Sequence, residues 1–214
     1  MNKKKILNFI KEHRKTIILT ISLLLFAIIT YATFSDKIEH IDTLVHSYIL
    51  GIRNNNLTSI LITITNLSSA YALIVLSIIL LLTMKNKKIP LYITLNLIFC
   101  FLLNQFAKEI FTRPRPLGIN LIEESGFSYP SGHAMISMAY YGFIAYLLYK
   151  KNKSFITKLI LIILLILTII LIGFSRIYLG VHYLSDVIGG FLLSIVYLMI
   201  YIKSINLEKG KRKK

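Results

Sequence analysis

The chain has 214 residues, 56% of them hydrophobic, a mean hydropathy of +0.70 and a formal charge of +16. That apolarity excludes an ordinary soluble domain and points to the lipid bilayer. Nucleic-acid binding is excluded by placement: the basic residues flank apolar runs instead of forming a patch on a polar surface.

Residues 1–15 form a basic N-terminal segment with Lys3, Lys4, Lys5, Lys11, Arg14 and Lys15. Crossing the hydrocarbon core takes about 20 mostly apolar residues in a helix. Such runs recur at residues 16–34, 60–84, 89–107, 134–149, 155–174 and 187–202, which predicts an all-α polytopic membrane protein with six transmembrane helices. The first run lacks a small-residue cleavage site and reads as a retained anchor. A membrane domain over 16–202 is thus followed by a basic tail over 203–214.

Lysines set the orientation. Lys85, Lys87 and Lys88 follow the second run, Lys150, Lys151 and Lys153 follow the fourth, and Lys209, Lys211, Arg212, Lys213 and Lys214 close the chain. Basic residues are retained on the cytoplasmic side, so both termini are expected there. The connections 35–59, 108–133 and 175–186 then share the extracytoplasmic face of the cell membrane.

In the first outer connection Ile38, Ile41, Val45, Tyr48, Ile49 and Ile52 repeat at helical spacing, opposite Glu39, His40, Asp42, Thr43, His46 and Ser47. This predicts a short interfacial helix with its polar side in water. Cys100 lies inside an apolar run without a disulfide partner and reads as a small buried side chain. No cysteine cluster suits zinc, and neither a metal nor another cofactor is called for.

Three polar clusters lie on the outer side, where uncompensated charge next to hydrocarbon is costly. Lys108 through Pro116 ends the third run and holds Arg113 and Arg115 in a loop stiffened by Pro114 and Pro116; guanidinium forks and an ammonium suit phosphate oxygens. Pro130-Ser131-Gly132-His133 precedes the fourth run, where Ser131 is a favoured N-cap and free backbone N–H groups attract an anion. Ser175-Arg176 and His182 with Asp186 lead into the sixth run; a carboxylate on one imidazole nitrogen frees the other as a nucleophile. Singly, each cluster has a plainer reading as headgroup contact, helix cap or structural His–Asp pair.

Together they resemble the three-part signature of the type 2 phosphatidic acid phosphatase (PAP2) superfamily: Lys108-x6-Arg115-Pro116, Pro130-Ser131-Gly132-His133 and Ser175-Arg176-x5-His182-x3-Asp186. The resemblance implies a six-helix membrane fold and a metal-independent phosphatase. It implies that His182 is the nucleophile that becomes a phosphohistidine, Asp186 its orienting carboxylate and His133 the general acid. Lys108, Arg115, Ser131, the backbone at Gly132, and Arg176 would cradle the phosphate. The implied substrate is a phosphorylated lipid in the bilayer, undecaprenyl pyrophosphate ahead of phosphatidylglycerophosphate and phosphatidate, with no obligate protein partner. Phosphoryl transfer to another lipid or sugar and noncatalytic headgroup binding or transport are the alternatives. Arg113 falls outside the signature and reads as a loop anchor, His13, His40 and His46 as surface or interfacial residues, and Gly189 and Gly190 as sites of close packing.

Overall fold

The computed structural model describes residues 3–151 and 154–205, so the tail expected to be basic and cytoplasmic lies outside the described residues from 206 onward. Eight helices occupy the described residues: α1 (Lys3–Phe34), α2 (Glu39–Ile52), α3 (Asn55–Asn66), α4 (Ala70–Thr83), α5 (Lys88–Phe111), α6 (Gly132–Lys150), α7 (Phe155–Tyr178) and α8 (Leu184–Ser204). No strand occurs among them. The helix α6 packs against α5, α7 and α8, while α1 lies along α8 and α3 along α7.

Four helical stretches are long and apolar enough to cross a membrane: Phe9–Phe34, Lys88–Phe111, Phe155–Tyr178 and Leu184–Ser204. The spanning stretch of α7 has a mean hydropathy of 3.1 and is only 11% buried, as expected of a helix bathed in lipid. The run expected at 60–84 is two helices bent by 46°, which count as a fifth span if taken together. Ser69 caps the second of them by accepting from the Ala72 N–H, and the Leu67 carbonyl freed at the bend accepts from the Tyr141 hydroxyl at 2.6 Å. A break at membrane depth is tolerable where neighbouring helices satisfy its backbone in this way.

The fourth expected span, α6, does not reach the apolarity of the others. Its position explains why. Ala134, Met135, Ser137, Ala139, Tyr140, Tyr141 and Phe143 are all buried, so several sides of this helix meet protein, where the Tyr140 hydroxyl meets Ser77 and the Tyr141 hydroxyl reaches Leu67 O. Helix α5 faces it with polar groups four residues apart. The Asn96 side chain donates to Ala139 O at 2.8 Å, the Cys100 thiol to Met135 O at 3.7 Å, and the Asn104 side chain to Pro130 O at 3.1 Å. These contacts hold the start of α6 beside Lys108, one turn beyond Asn104.

Two further contacts position the loops. Tyr129 is buried among Phe26, Phe34 and Phe111, and its hydroxyl meets Thr30 at 2.7 Å, tying the approach to α6 onto α1 and α5. Arg53 donates to the Tyr178 carbonyl from Nη2 at 2.7 Å and to Ile119 O from Nη1 at 2.7 Å, which satisfies the end of α7 and pins the 112–131 loop. Gly180, at φ +76°, turns beneath this clamp, and a Cβ there would lie 2.3 Å from Ile119 O. Replacing Gly180 with alanine should therefore cost roughly 1–3 kcal/mol. Thermal melting in detergent should register a clear drop; an unchanged melting temperature would contradict the constraint.

Candidate active site

The end of α5, the loop 112–131, the first turn of α6, the end of α7 and the start of α8 meet at one end of the bundle, bringing all three polar clusters together. His133 senses the charges of Arg176, His182, Lys108 and Arg115, and Lys108 those of Arg115, Glu124, Asp186 and Arg176. The residues expected to act together are therefore neighbours.

His182 precedes α8, in the short turn after α7, and is buried. Its Nδ1 stands 3.5 Å from Asp186 Oδ2, long for a direct hydrogen bond. Ser128 fills the gap: its Oγ is 3.2 Å from Nδ1 and donates to Asp186 Oδ2 at 2.5 Å. On the other side, Arg115 Nη1 lies 3.1 Å from Nε2. A guanidinium N–H can only donate, so Nε2 must accept, and the ring proton resides on Nδ1. The lone pair of Nε2 thus faces the cationic pocket. Burial pushes His182 down from 6.5 to about 4, against the opposing pull of Asp186, so the ring is neutral near neutrality.

Asp186, also buried, accepts from the Tyr183 N–H at 2.8 Å and from Arg113 Nη1 at 2.5 Å. Arg113 is more than a loop anchor. Its Nη2 bonds Asp42 at 2.9 Å, its Nη1 also reaches Ser185 Oγ at 2.7 Å, and its guanidinium lies over the Tyr183 ring. Asp42 in turn accepts from the Ser185 N–H at 3.0 Å and the Ser185 hydroxyl at 2.5 Å. The helix α2 accordingly presents a different face from the one its apolar periodicity predicts: Asp42, His46 and Ile49 are buried, while Ile41, Leu44 and Tyr48 are exposed. His46, expected at the surface, is inside, with Nε2 3.3 Å from His182 O and its ring beside Tyr183. His13 and His40 are exposed, as expected.

The remaining cations lie close by. Lys108 donates to Phe127 O at 2.6 Å. Arg115 holds the carbonyls of Gly126, Ser125 and Val181 at 3.0, 2.9 and 2.9 Å. Arg176 is buried, donates to Thr65 Oγ1 at 2.9 Å and to Glu124, and leaves its Nε without a partner. Ser131 stands at the N-cap of α6 but makes no capping bond with its side chain; its buried Oγ has no partner either. The first-turn N–H groups of α6 lack intrahelical acceptors by geometry, so donors converge here. Gly190 permits this placement: a Cβ there would stand 2.8 Å from Ser131 O. Gly189 likewise would meet the Tyr129 hydroxyl at 2.5 Å, so both glycines serve close packing. Burial and then the charges of Arg176, His182, Lys108 and Arg115 disfavour a proton on His133, which lies ahead of the apolar run starting at Ala134.

The family profile described as the PAP2 superfamily matches residues 89–209, more than half of the chain. The chain belongs to this superfamily. It is 43% identical over 113 residues to phosphatidylglycerophosphatase B of Bacillus subtilis, a match covering 52% of this chain and only 54% of that protein. It is 29% identical over 156 residues to the undecaprenyl-diphosphatase of Sulfolobus acidocaldarius, covering 69% of this chain and 71% of the relative. The crystal structure of a transmembrane PAP2-type phosphatidylglycerolphosphate phosphatase from Bacillus subtilis superimposes with a TM-score of 0.81 at 31% identity, over 92% of this chain and 98% of that one.

A buried neutral imidazole has a consequence for stability. Between pH 6.5 and about 4 the unfolded chain takes up a proton at residue 182 that the folded chain refuses, so acidification through this window favours unfolding. The melting temperature of the protein in detergent should therefore fall more steeply over that range than that of the His182→Gln variant. Equal slopes would mean that His182 is not held neutral by burial.

Proposed function

We propose that the protein is an integral membrane lipid phosphatase that hydrolyses a phosphate monoester or pyrophosphate of a lipid through a phosphohistidine on His182. The observation that carries this reading is the orientation of His182: its Nδ1 proton is committed to Ser128 and Asp186, and its Nε2 lone pair faces Arg115, one of the cations that suit phosphate oxygens. Family membership supports the same chemistry.

In this mechanism the terminal phosphoryl group lies among Lys108, Arg115, Arg176, Ser131 Oγ and the N–H groups beginning at Gly132. These donors stabilise charge on the transferring group, a role that fixed positive groups perform well in a dehydrated site. Nε2 attacks phosphorus as the bond to the lipid oxygen breaks, and His133 protonates that oxygen. Water then attacks the phosphohistidine, with His133 taking its proton, and inorganic phosphate leaves. The cations that disfavour protonated His133 are offset when a phosphate dianion enters, so substrate binding itself favours the charged acid.

The proposed topology has six spans, with the four apolar stretches, the bent α3 and α4 pair, and the protein-enclosed α6 each crossing once. Both termini are cytoplasmic and the site lies on the extracytoplasmic face, in keeping with the positions of the lysines. Of the lipids the sequence brings forward, phosphatidylglycerophosphate takes first place, because the solved relative matched over 98% of its length acts on it. Undecaprenyl diphosphate follows, from the second sequence relative.

A panel of phosphatidylglycerophosphate, undecaprenyl diphosphate, phosphatidate and a soluble phosphomonoester tests the reading through phosphate release in detergent. His182→Gln should abolish release while the protein still folds, and vanadate, which imitates the transition state, should inhibit the parent enzyme. Full activity of the variant would refute the assignment. Ser128→Ala should lower kcat by about 10–100-fold with little change in KM, as expected for a group that holds the nucleophile's tautomer. A loss confined to KM would remove Ser128 from that role.

A further inference from the structure

Glu124 occupies a position that the mechanism leaves unexplained. Its carboxylate bonds the buried guanidinium of Arg176 and stands 3.8 Å from Arg115 Nη2, and its charge also reaches Lys108. It therefore neutralises the same three cations that the proposed mechanism assigns to the substrate phosphate. Among the described residues Arg176 keeps an unfilled Nε, and Ser131 Oγ at the N-cap of α6 is unfilled as well, so a single carboxylate only partly satisfies the seat.

The local backbone favours exchange. Leu121 N–H donates to Leu179 O at 2.8 Å on one side of Glu124, and the carbonyls of Ser125 and Gly126 are held by Arg115 on the other. The Glu124 side chain is 25% exposed, so rotation about its own bonds can carry the carboxylate into water without moving the loop. Buried cations left without an anion would be costly, and two anions crowded onto the same cations would repel, so Glu124 and a bound phosphate alternate.

We propose that Glu124 is an internal competitor that sets specificity by charge, admitting a terminal phosphate dianion and refusing the monoanionic phosphodiesters that make up the surrounding lipid headgroups. This rests on the phosphatase reading of the site. Replacing a carboxylate by a diester exchanges one negative charge for another and gains nothing between the cations. Replacing it by a phosphate monoester dianion adds a second charge and oxygens for the unfilled donors. A phosphatase facing an excess of diester headgroups gains selectivity from this exchange without a steric filter.

Binding tests the proposal independently of turnover. The full-length protein in detergent is titrated calorimetrically with inorganic phosphate and with dimethyl phosphate at about pH 8, where phosphate is mainly a dianion. The parent protein should bind phosphate and not dimethyl phosphate. Glu124→Gln should bind phosphate on the order of tenfold more tightly, the scale of one close charge in a partly solvated site, and should now bind dimethyl phosphate. Glu124→Ala, which removes the contact altogether, should go the same way. Unchanged or weakened phosphate binding in both variants, or continued refusal of the diester, overturns the charge filter. If the parent protein binds phosphate as expected but releases none from any phosphorylated lipid, the phosphatase reading fails while the competition by Glu124 stands.

Discussion

Positive charge buried beside hydrocarbon must be balanced at fixed positions, and the architecture at the site end of this protein follows from that constraint. Lys108, Arg113, Arg115 and Arg176 converge there, and Asp42, Asp186 and Glu124 lie among them. Side-chain charge alone leaves the cations one ahead, while a guanidinium N–H and a serine hydroxyl stay unfilled. Buried ion pairs seldom add net stability, because desolvation consumes most of the attraction. Their retention here is better understood as preparation for an anion that arrives and departs.

The carboxylates divide this work. Asp186 and Asp42 are buried and fully engaged by Arg113, Ser185, Ser128 and the backbone at Tyr183 and Ser185, so they are fixed parts of the frame. Glu124 is partly open to solvent and pairs with Arg176 and Arg115. Arg113 separates the two regimes: by taking Asp42 and Asp186 together it docks α2 onto the start of α8, and it leaves Arg115 to face Nε2. Two arginines separated by one proline thus point to opposite sides of the same aspartate and histidine pair.

The parts legible in the sequence were those whose chemistry is local. Apolar runs located the long helices, and the spacing of Lys108, Arg115, His133, Arg176, His182 and Asp186 singled out residues that the fold brings together, because each lies at or near a helix end where polarity changes abruptly. Less legible was whatever depends on which neighbour a helix meets. The apolar face of α2 suggested a polar side in water, yet Asp42 and His46 turn inward because Arg113, Ser185 and His182 offer partners there. The run at 60–84 gave no sign of its bend, which rests on Tyr141 from a distant helix. Ser128 and Glu124 lie within 10 residues of His133 but carry no spacing of their own, and only the folding of the loop onto Arg115 and Arg176 discloses them.

The two histidines illustrate why burial and charge have to be considered together. Desolvation disfavours the protonated form of both, which suits a nucleophile and opposes an acid. His182 meets that conflict in a fixed frame: its Nδ1 proton is tied through Ser128 to a buried carboxylate, and its Nε2 accepts from Arg115, while burial keeps the ring neutral. For His133 burial comes first and the charges of Arg176, Lys108 and Arg115 also disfavour the proton, so its protonation responds to the net charge of the pocket. In the proposed mechanism an entering dianion shifts that net charge by two, and the departing Glu124 carboxylate returns only one. The step that fills the seat thereby favours the acid, and the step that empties it disfavours it again, so the site can alternate between protonation states without any change in the frame that holds His182.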